Sequence, residues 1–201
     1  MPNILTLTGS PIEGSSTDIL LNRIADGVMD GADGDGRHDF IRLGNLDCRP
    51  CQACGESPEP DYCLFHDEIY PVYDKLINSD IILFGSPIYF DSVSAQAKTF
   101  IDRCNCLRPP DFTADGGDRF KNLITKKRAG AMVLVGGERG YFEGARRVIA
   151  GFFKWTRIEN CGLITYAGAR WTETGAVAAE PDIMAAAFEL GRRLCNRQTN
   201  K

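Results

Sequence analysis

The sequence predicts a doubly wound α/β fold: a five-stranded parallel sheet with helices on both faces. Three observations predict it. Short apolar or β-branched runs alternate with stretches whose apolar residues recur at helical spacing. The run Ile81-Ile82-Leu83-Phe84 has no polar face, as a strand buried on both sides requires. Three of the runs end at glycine, at Gly9, Gly85 and Gly136, where strands give way to loops.

The elements follow in order. Ile4 to Thr8 reads as a first strand, ended by Gly9-Ser10-Pro11, and from Asp18 the residues Ile19, Leu20, Ile24 and Val28 mark a helix. The turn-rich segment Gly31 to Gly36 separates it from a short second strand, Asp39 to Leu43. Asp47 to Tyr62 contains Pro50, Pro58 and Pro60, so it cannot form one regular element. Ile69, Val72, Tyr73, Leu76 and Ile77 then mark a helix, and Ile81 to Phe84 the third strand, expected to stop at Gly85-Ser86-Pro87. A helix from about Ser94 to Arg103, a polar loop, a fourth strand Ala129 to Val135, an amphipathic segment Phe142 to Trp155, a short strand Leu163 to Tyr166 and a final helix Pro181 to Arg197 complete the chain. Parallel neighbours need crossovers, and here the crossovers are helices.

Composition narrows the partners. With 201 residues, 43% hydrophobic and 25% charged, the chain suffices for one domain spanning 1–201 with a sizeable core. No run approaches the roughly 18 apolar residues of a membrane helix. The opening Met1-Pro2-Asn3 leads straight into a strand without a basic leader, and a cytoplasmic location is expected. A formal charge of -4 leaves no cation excess for a nucleic-acid backbone. Eight cysteines in such a setting do not read as a disulfide framework.

In a doubly wound sheet, ligands sit beyond the carboxyl ends of the strands where the winding reverses, so the loops after strands one, three and four are the candidates. The first, Gly9 to Thr17, places the hydroxyls of Ser10, Ser15, Ser16 and Thr17 before a helix N-terminus, where free N–H groups and the helix dipole favour an anion. It lacks the Lys of a P-loop and the glycine spacing of a dinucleotide fingerprint. A phosphate monoester held by neutral donors fits; helix capping by Ser16 or Thr17 is the plainer alternative. The second loop, Gly85 to Ser94, carries Tyr89 and Phe90 among small polar residues and suits a flat heterocycle, or simply covers the sheet end. Together the two loops suggest a mononucleotide carrying a planar ring.

Gly9-Ser10-Pro11 with Ser15-Ser16-Thr17, the segment His66 to Tyr70, the block Ser79 to Phe90 and Lys98 to Arg103 resemble the NAD(P)H-dependent FMN reductase family of flavodoxin-like proteins, over roughly residues 3 to 140. The resemblance implies that Ser10, Ser15, Ser16 and Thr17 bind the FMN phosphate. It implies that Pro87, Ile88, Tyr89, Phe90 and Ser92 line the isoalloxazine, with Gly136, Gly137 and Glu138 as a third wall. Ile12-Glu13 departs from the family, whose members often carry a basic residue there.

Cys48-x2-Cys51-x2-Cys54-x8-Cys63 has the tight spacing with which ferredoxin-type segments wrap an iron–sulfur cluster. Zinc motifs more often separate two Cys-x2-Cys pairs by a longer arm, which ranks zinc second; plain packed thiols are the remaining reading. The resemblance points the same way, since its iron–sulfur flavoprotein branch carries a comparable motif holding a [4Fe-4S] cluster. Cys104, Cys106, Cys161 and Cys195 read as ordinary thiols, and His38 and His66 as structural. Arg139, Arg146 and Arg147 are candidates for the phosphate of a nicotinamide cofactor, or an exposed helix face.

The expected activity is transfer of electrons from NAD(P)H through FMN to a quinone, a flavin, an iron centre or a small electron-carrier protein. No side chain is required as nucleophile or general base, because the flavin performs the chemistry. An FMN-binding carrier without turnover, or a zinc-binding regulatory protein, is the alternative class. The resemblance also implies a homodimer or homotetramer, with Asn105 to Lys127 as a contact arm.

Overall fold

The computed structural model describes residues 1–54, 62–110, 120, 121, 123–168 and 173–199. Its elements are β1 (Asn3–Thr8), α1 (Ser16–Gly31), β2 (Arg37–Arg42), α2 (Tyr70–Asn78), β3 (Ile81–Tyr89), β4 (Ser92–Val93), α3 (Ala95–Arg103), β5 (Arg128–Gly136), α4 (Glu143–Trp155), β6 (Ile158–Ala167) and α5 (Pro181–Thr199). Short 3-10 turns follow β2 and α3 and precede α5. The sheet runs β2-β1-β3-β5-β6, all parallel, with β4 antiparallel to the end of β3. This is the flavodoxin-like order, and the winding reverses between β1 and β3.

Strand periodicity divides the core in two. Leu5, Leu7, Ile82, Phe84, Met132 and Leu134 point to the face covered by α2, α3 and α4. Their neighbours Ile4, Ile81, Leu83, Ala131 and Val133 point to the face covered by α1 and α5. Successive side chains of a strand lie on opposite faces, so an unbroken apolar run fills both layers.

Three strands differ from expectation in extent. β3 continues through Gly85-Ser86-Pro87 to Tyr89. Its pairing with β1 ends at Thr8↔Gly85, while pairing with β5 continues to Pro87↔Val135, so the proline sits where only one neighbour remains. β6 spans Ile158–Ala167 rather than Leu163 to Tyr166, because its first half lies at the sheet edge with Glu159 and Asn160 exposed, which hides the apolar pattern. β2 spans Arg37–Arg42. β4 and the 3-10 turn Ala176–Ala179 are too short to show in the sequence. Of the expected contact arm, residues 111–119 and 122 lie outside the described residues, and within it Pro110 forms an antiparallel bridge with Phe120. Among the described residues no helix is long and apolar enough to cross a membrane.

Candidate functional site

The loop after β1 is held in place from below. Gly9 N donates to the Gly85 carbonyl at 2.8 Å, and Ser94 Oγ donates to the Gly9 carbonyl at 2.7 Å. A Cβ on Gly9 would stand 2.7 Å from both Ala97 Cβ and Ser94 Oγ, so only glycine allows the loop to seat against the start of α3. Arg42, at the end of β2, donates to the carbonyls of Ser10 and Ile12, each at 3.1 Å, and to Asp18 Oδ2 at 2.8 Å. Thr8 Oγ1 donates to Asp18 Oδ1 at 2.8 Å. Arg42 and Asp18 are 13% and 4% exposed, a nearly buried pair beneath the loop. No local motif marks Arg42, because nothing local brings β2 beside the loop after β1.

With the carbonyls turned to Arg42, the loop offers donors. Ser15 caps α1, its Oγ accepting from Asp18 N at 3.3 Å, and Ser16 Oγ accepts from Val177 N at 3.3 Å. Each hydroxyl still has its own hydrogen to donate. The capping expectation and the anion expectation for this segment are therefore compatible.

A cleft of about 420 Å³ opens above this loop at the carboxyl edge of the sheet. Nine of the residues singled out in the sequence line it: Ser10, Ser15, Ser16 and Thr17 on one side, Pro87, Ile88 and Tyr89 on another, Gly136 and Gly137 on a third. Ile12, Val135, Tyr166, Glu173, Thr174 and Gly175 complete it. The last four belong to β6 and the segment beyond, which no local motif marks. Phe90, Ser92 and Glu138 do not line the cleft. Ser92 pairs with Tyr89 in the β3–β4 hairpin, and Phe90 with Asp91 forms its two-residue turn. Both turn residues have positive φ, 49° and 59°, the conformation such a tight hairpin demands. For Phe this is a strained conformation, and its side chain is fully exposed. Glu138 is exposed in the turn after β5.

A second cavity, of about 240 Å³, opens at the C-terminal end of α3 and is lined by Cys51, Cys54, Cys63 and Cys106 together with Arg103. Cys48, the first of the expected set, instead packs at the margin of the core, where burial pushes its thiol pKa up. Burial pushes the Cys106 thiol up to about 12. None of the eight cysteines, all of them among the described residues, is in a disulfide, and among the described residues no three His, Cys, Asp or Glu side chains gather as a metal-holding group; residues 55–61 of the motif lie outside them.

The segment is tied to α3 by the buried Arg103. Its Nη1 donates to Asp67 Oδ2 at 2.6 Å, and its Nη2 to Asp67 Oδ1 at 3.1 Å. Burial pushes the Asp67 carboxyl up, but the hydrogen bonds from Arg103 and from the N–H groups of Arg49 and Ile69 outweigh it, leaving the pKa below the usual carboxylate value. His38 accepts or donates at 2.9 Å with Thr6 Oγ1, and burial lowers its pKa; His66 stacks on Tyr70 at 4.2 Å. Arg146 and Arg147 both pair with Glu143 on the exposed face of α4.

A sequence profile of the NADPH-dependent FMN reductase family matches residues 2–159. The chain belongs to this family. Its members are flavoprotein oxidoreductases, and the family implies FMN as the cofactor. Among curated relatives of this family member, an iron–sulfur flavoprotein of Methanosarcina thermophila is 26% identical over 96% of the chain and 93% of that protein. An iron–sulfur flavoprotein of Methanocaldococcus jannaschii is 32% identical, over 52% of the chain and 53% of that protein. Among solved structures, an NAD(P)H:quinone oxidoreductase from Methanothermobacter marburgensis superposes with a TM-score of 0.71 at 15% identity, covering 96% of both chains. That likeness concerns the fold.

Proposed function

We propose that this FMN reductase family member is an iron–sulfur flavoprotein: an oxidoreductase that binds FMN in the cleft above β1, β3 and β5 and a [4Fe-4S] cluster on Cys48, Cys51, Cys54 and Cys63. The observation that carries the reading is the coexistence of two cavities of different chemistry, one lined by hydroxyls at a helix N-terminus and one lined by three thiols of the motif. The names of the relatives from Methanosarcina thermophila and Methanocaldococcus jannaschii support it.

The residues fit FMN. The O–H groups of Ser15 and Ser16 and the first N–H groups of α1 suit a phosphate, and the helix dipole favours its charge there. Arg42 restrains two carbonyls of the loop and so keeps acceptor oxygens from facing the anion. Pro87, Ile88 and Tyr89 on one side and Val135, Gly136 and Gly137 on the other bound a slot for a flat ring, with Tyr166 below. When bound, FMN supplies hydride and single-electron chemistry. The chain orients the ring and shields it from water. The fit to a cluster rests on soft thiol ligands beside a buried cation, which suits an anionic iron–sulfur centre. In this reading NAD(P)H or a ferredoxin-like carrier is the electron donor, a small molecule or carrier protein is the acceptor, and the working form is a homo-oligomer in the cytoplasm.

A second reading, a reductase that moves electrons from NAD(P)H to a quinone or flavin without a cluster, is favoured by the absence of a gathered metal-holding group among the described residues. Anaerobic purification and an absorption spectrum separate the two. Flavin bands with a broad shoulder that fades in air, and matching iron and sulfide, are expected. Flavin bands alone, bleached by NAD(P)H, would establish the second reading; a colourless protein that evolves no heat on titration with FMN would refute both.

A further inference from the structure

Among the described residues two arginines are almost wholly buried, and they are used differently. Arg128, on β5, donates to the carbonyls of Leu76 and Thr156, at the ends of α2 and α4; among the described residues it touches no carboxylate and its Nε is buried without a partner. It is a staple between helix ends. Arg103, the last residue of α3 and 1% exposed, reaches instead into the cysteine segment. Besides Asp67, its Nη1 donates to the Arg49 carbonyl at 2.7 Å, and its Nη2 donates to the Phe65 carbonyl at 3.3 Å and to Cys63 Sγ at 3.5 Å. Arg49 lies between Cys48 and Cys51, and Phe65 lies just past Cys63, so one guanidinium fastens both ends of the motif to a helix. Its Nε is buried without a partner among the described residues, and the residue lines the cavity that Cys51, Cys54, Cys63 and Cys106 share.

A buried cation costs desolvation energy that a neutral donor would not. Asp67 balances the charge of Arg103, and a buried Nε without a partner is common to both arginines; what sets Arg103 apart is its N–H···S contact with Cys63 on the wall of a thiol-lined cavity, a charged donor placed against sulfur.

We propose that Arg103 is a positioning residue for the cysteine centre: it holds Cys63 by an N–H···S bond, and its charge favours the more negative, reduced state of a cluster bound there. The proposal rests on the iron–sulfur reading above. Reduction adds one electron, from the reduced flavin or an added reductant such as dithionite, and forms or breaks no bond. The centre becomes one unit more negative, so a fixed cation beside it raises the reduction potential, as hydrogen bonds to cluster sulfurs do.

The test uses the full chain as wild type, Arg103→Gln and Arg103→Lys. Each is loaded anaerobically with ferrous iron and sulfide, assayed for bound iron and sulfide, and titrated potentiometrically with the reduced cluster read by electron paramagnetic resonance. For Arg103→Gln the one-electron reduction equilibrium should fall roughly tenfold, which is about 59 mV. Arg103→Lys, which keeps the charge and loses the fork, should fall between. An unchanged equilibrium in Arg103→Gln would overturn the proposal while leaving the iron–sulfur reading intact. Should Arg103→Gln not retain iron, the comparison passes to Arg103→Lys, where an unchanged equilibrium has the same force. A wild-type chain that binds no iron or sulfide refutes the iron–sulfur reading, and the proposal with it.

Discussion

The cleft and the cysteine cavity each rest on one arginine–aspartate pair, Arg42–Asp18 under the first and Arg103–Asp67 beside the second, yet the two pairs carry unequal shares of their regions. The loop of the cleft leaves β1 and enters α1, and it is fixed as well by Gly9 to Gly85 and by Ser94 to Gly9. Removing its ion pair leaves a ladder and a helix cap in place. Among its described residues the cysteine segment has no ladder. Asp47 and Arg49 N–H groups bond to the side chains of Glu68 and Asp67, Tyr62 bonds to Tyr70 and Asp74 of α2, and Arg103 ties the segment to α3. A binding site built on strand ends is shaped before its ligand arrives, whereas a site built on an irregular segment depends on a few side chains and on what it binds.

The largest effect should come from Asp67→Ala, which strands Arg103 as an uncompensated buried charge. Chemical denaturation under anaerobic conditions should show a loss of about 3–5 kcal/mol. Affinity for FMN should stay near the wild-type value; a parallel collapse of FMN binding would show that the two regions are not separable. Arg42→Met should cost less, about 3 kcal/mol, because Thr8 still donates to Asp18, and the same denaturation experiment ranks the two variants directly.

Gly9→Val sharpens the comparison from the other side. Its side chain meets Ala97 and Ser94, and an overpacking strain of about 1–3 kcal/mol should move the loop, weakening FMN binding roughly tenfold to hundredfold by calorimetry. Iron uptake by the cysteines should be unaffected. Ser15→Ala removes the cap of α1 and should lower stability by about 1 kcal/mol, seen as a modest drop in Tm.

The smallest effect belongs to the exposed pairs of α4. Hydrogen bonds from Arg146 and then Arg147 hold the Glu143 pKa down to about 2. A depressed carboxyl contributes above its unfolded pKa and loses that contribution only as pH falls toward about 2, so melting between neutral pH and mildly acid pH should not respond to this group. Glu143→Gln should leave Tm unchanged, since solvent screens such pairs. A clear drop would mean that this face of α4 is covered in an assembly.

The alternation of strands and helices and the loops that bound the cleft were legible in the sequence, because both show in short-range patterns. Ile81 to Phe84 is apolar throughout because it lies between two neighbours under two helical layers, and Ser15-Ser16-Thr17 stands where a helix must expose its first N–H groups. The resemblance implies a ring contact for Phe90, and the structure places it in a two-residue hairpin turn with its side chain exposed. Tyr166, Glu173 and Gly175 were illegible as cleft residues for the converse reason: β6 and the chain beyond it approach the first loop only through the sheet.

By itself the sequence determined the alternation of strands and helices, the hydroxyl-rich turn at a helix start and the spacing of four thiols, since periodicity, capping and ligand spacing are properties of neighbouring residues. The tertiary structure alone decided which distant charges stand beside these features. Arg42 comes under the first loop because β2 pairs with β1, and Arg103 comes to the cysteines because α3 ends against their segment. Burial is what gives those two cations their weight, and burial is fixed only when the whole chain has packed.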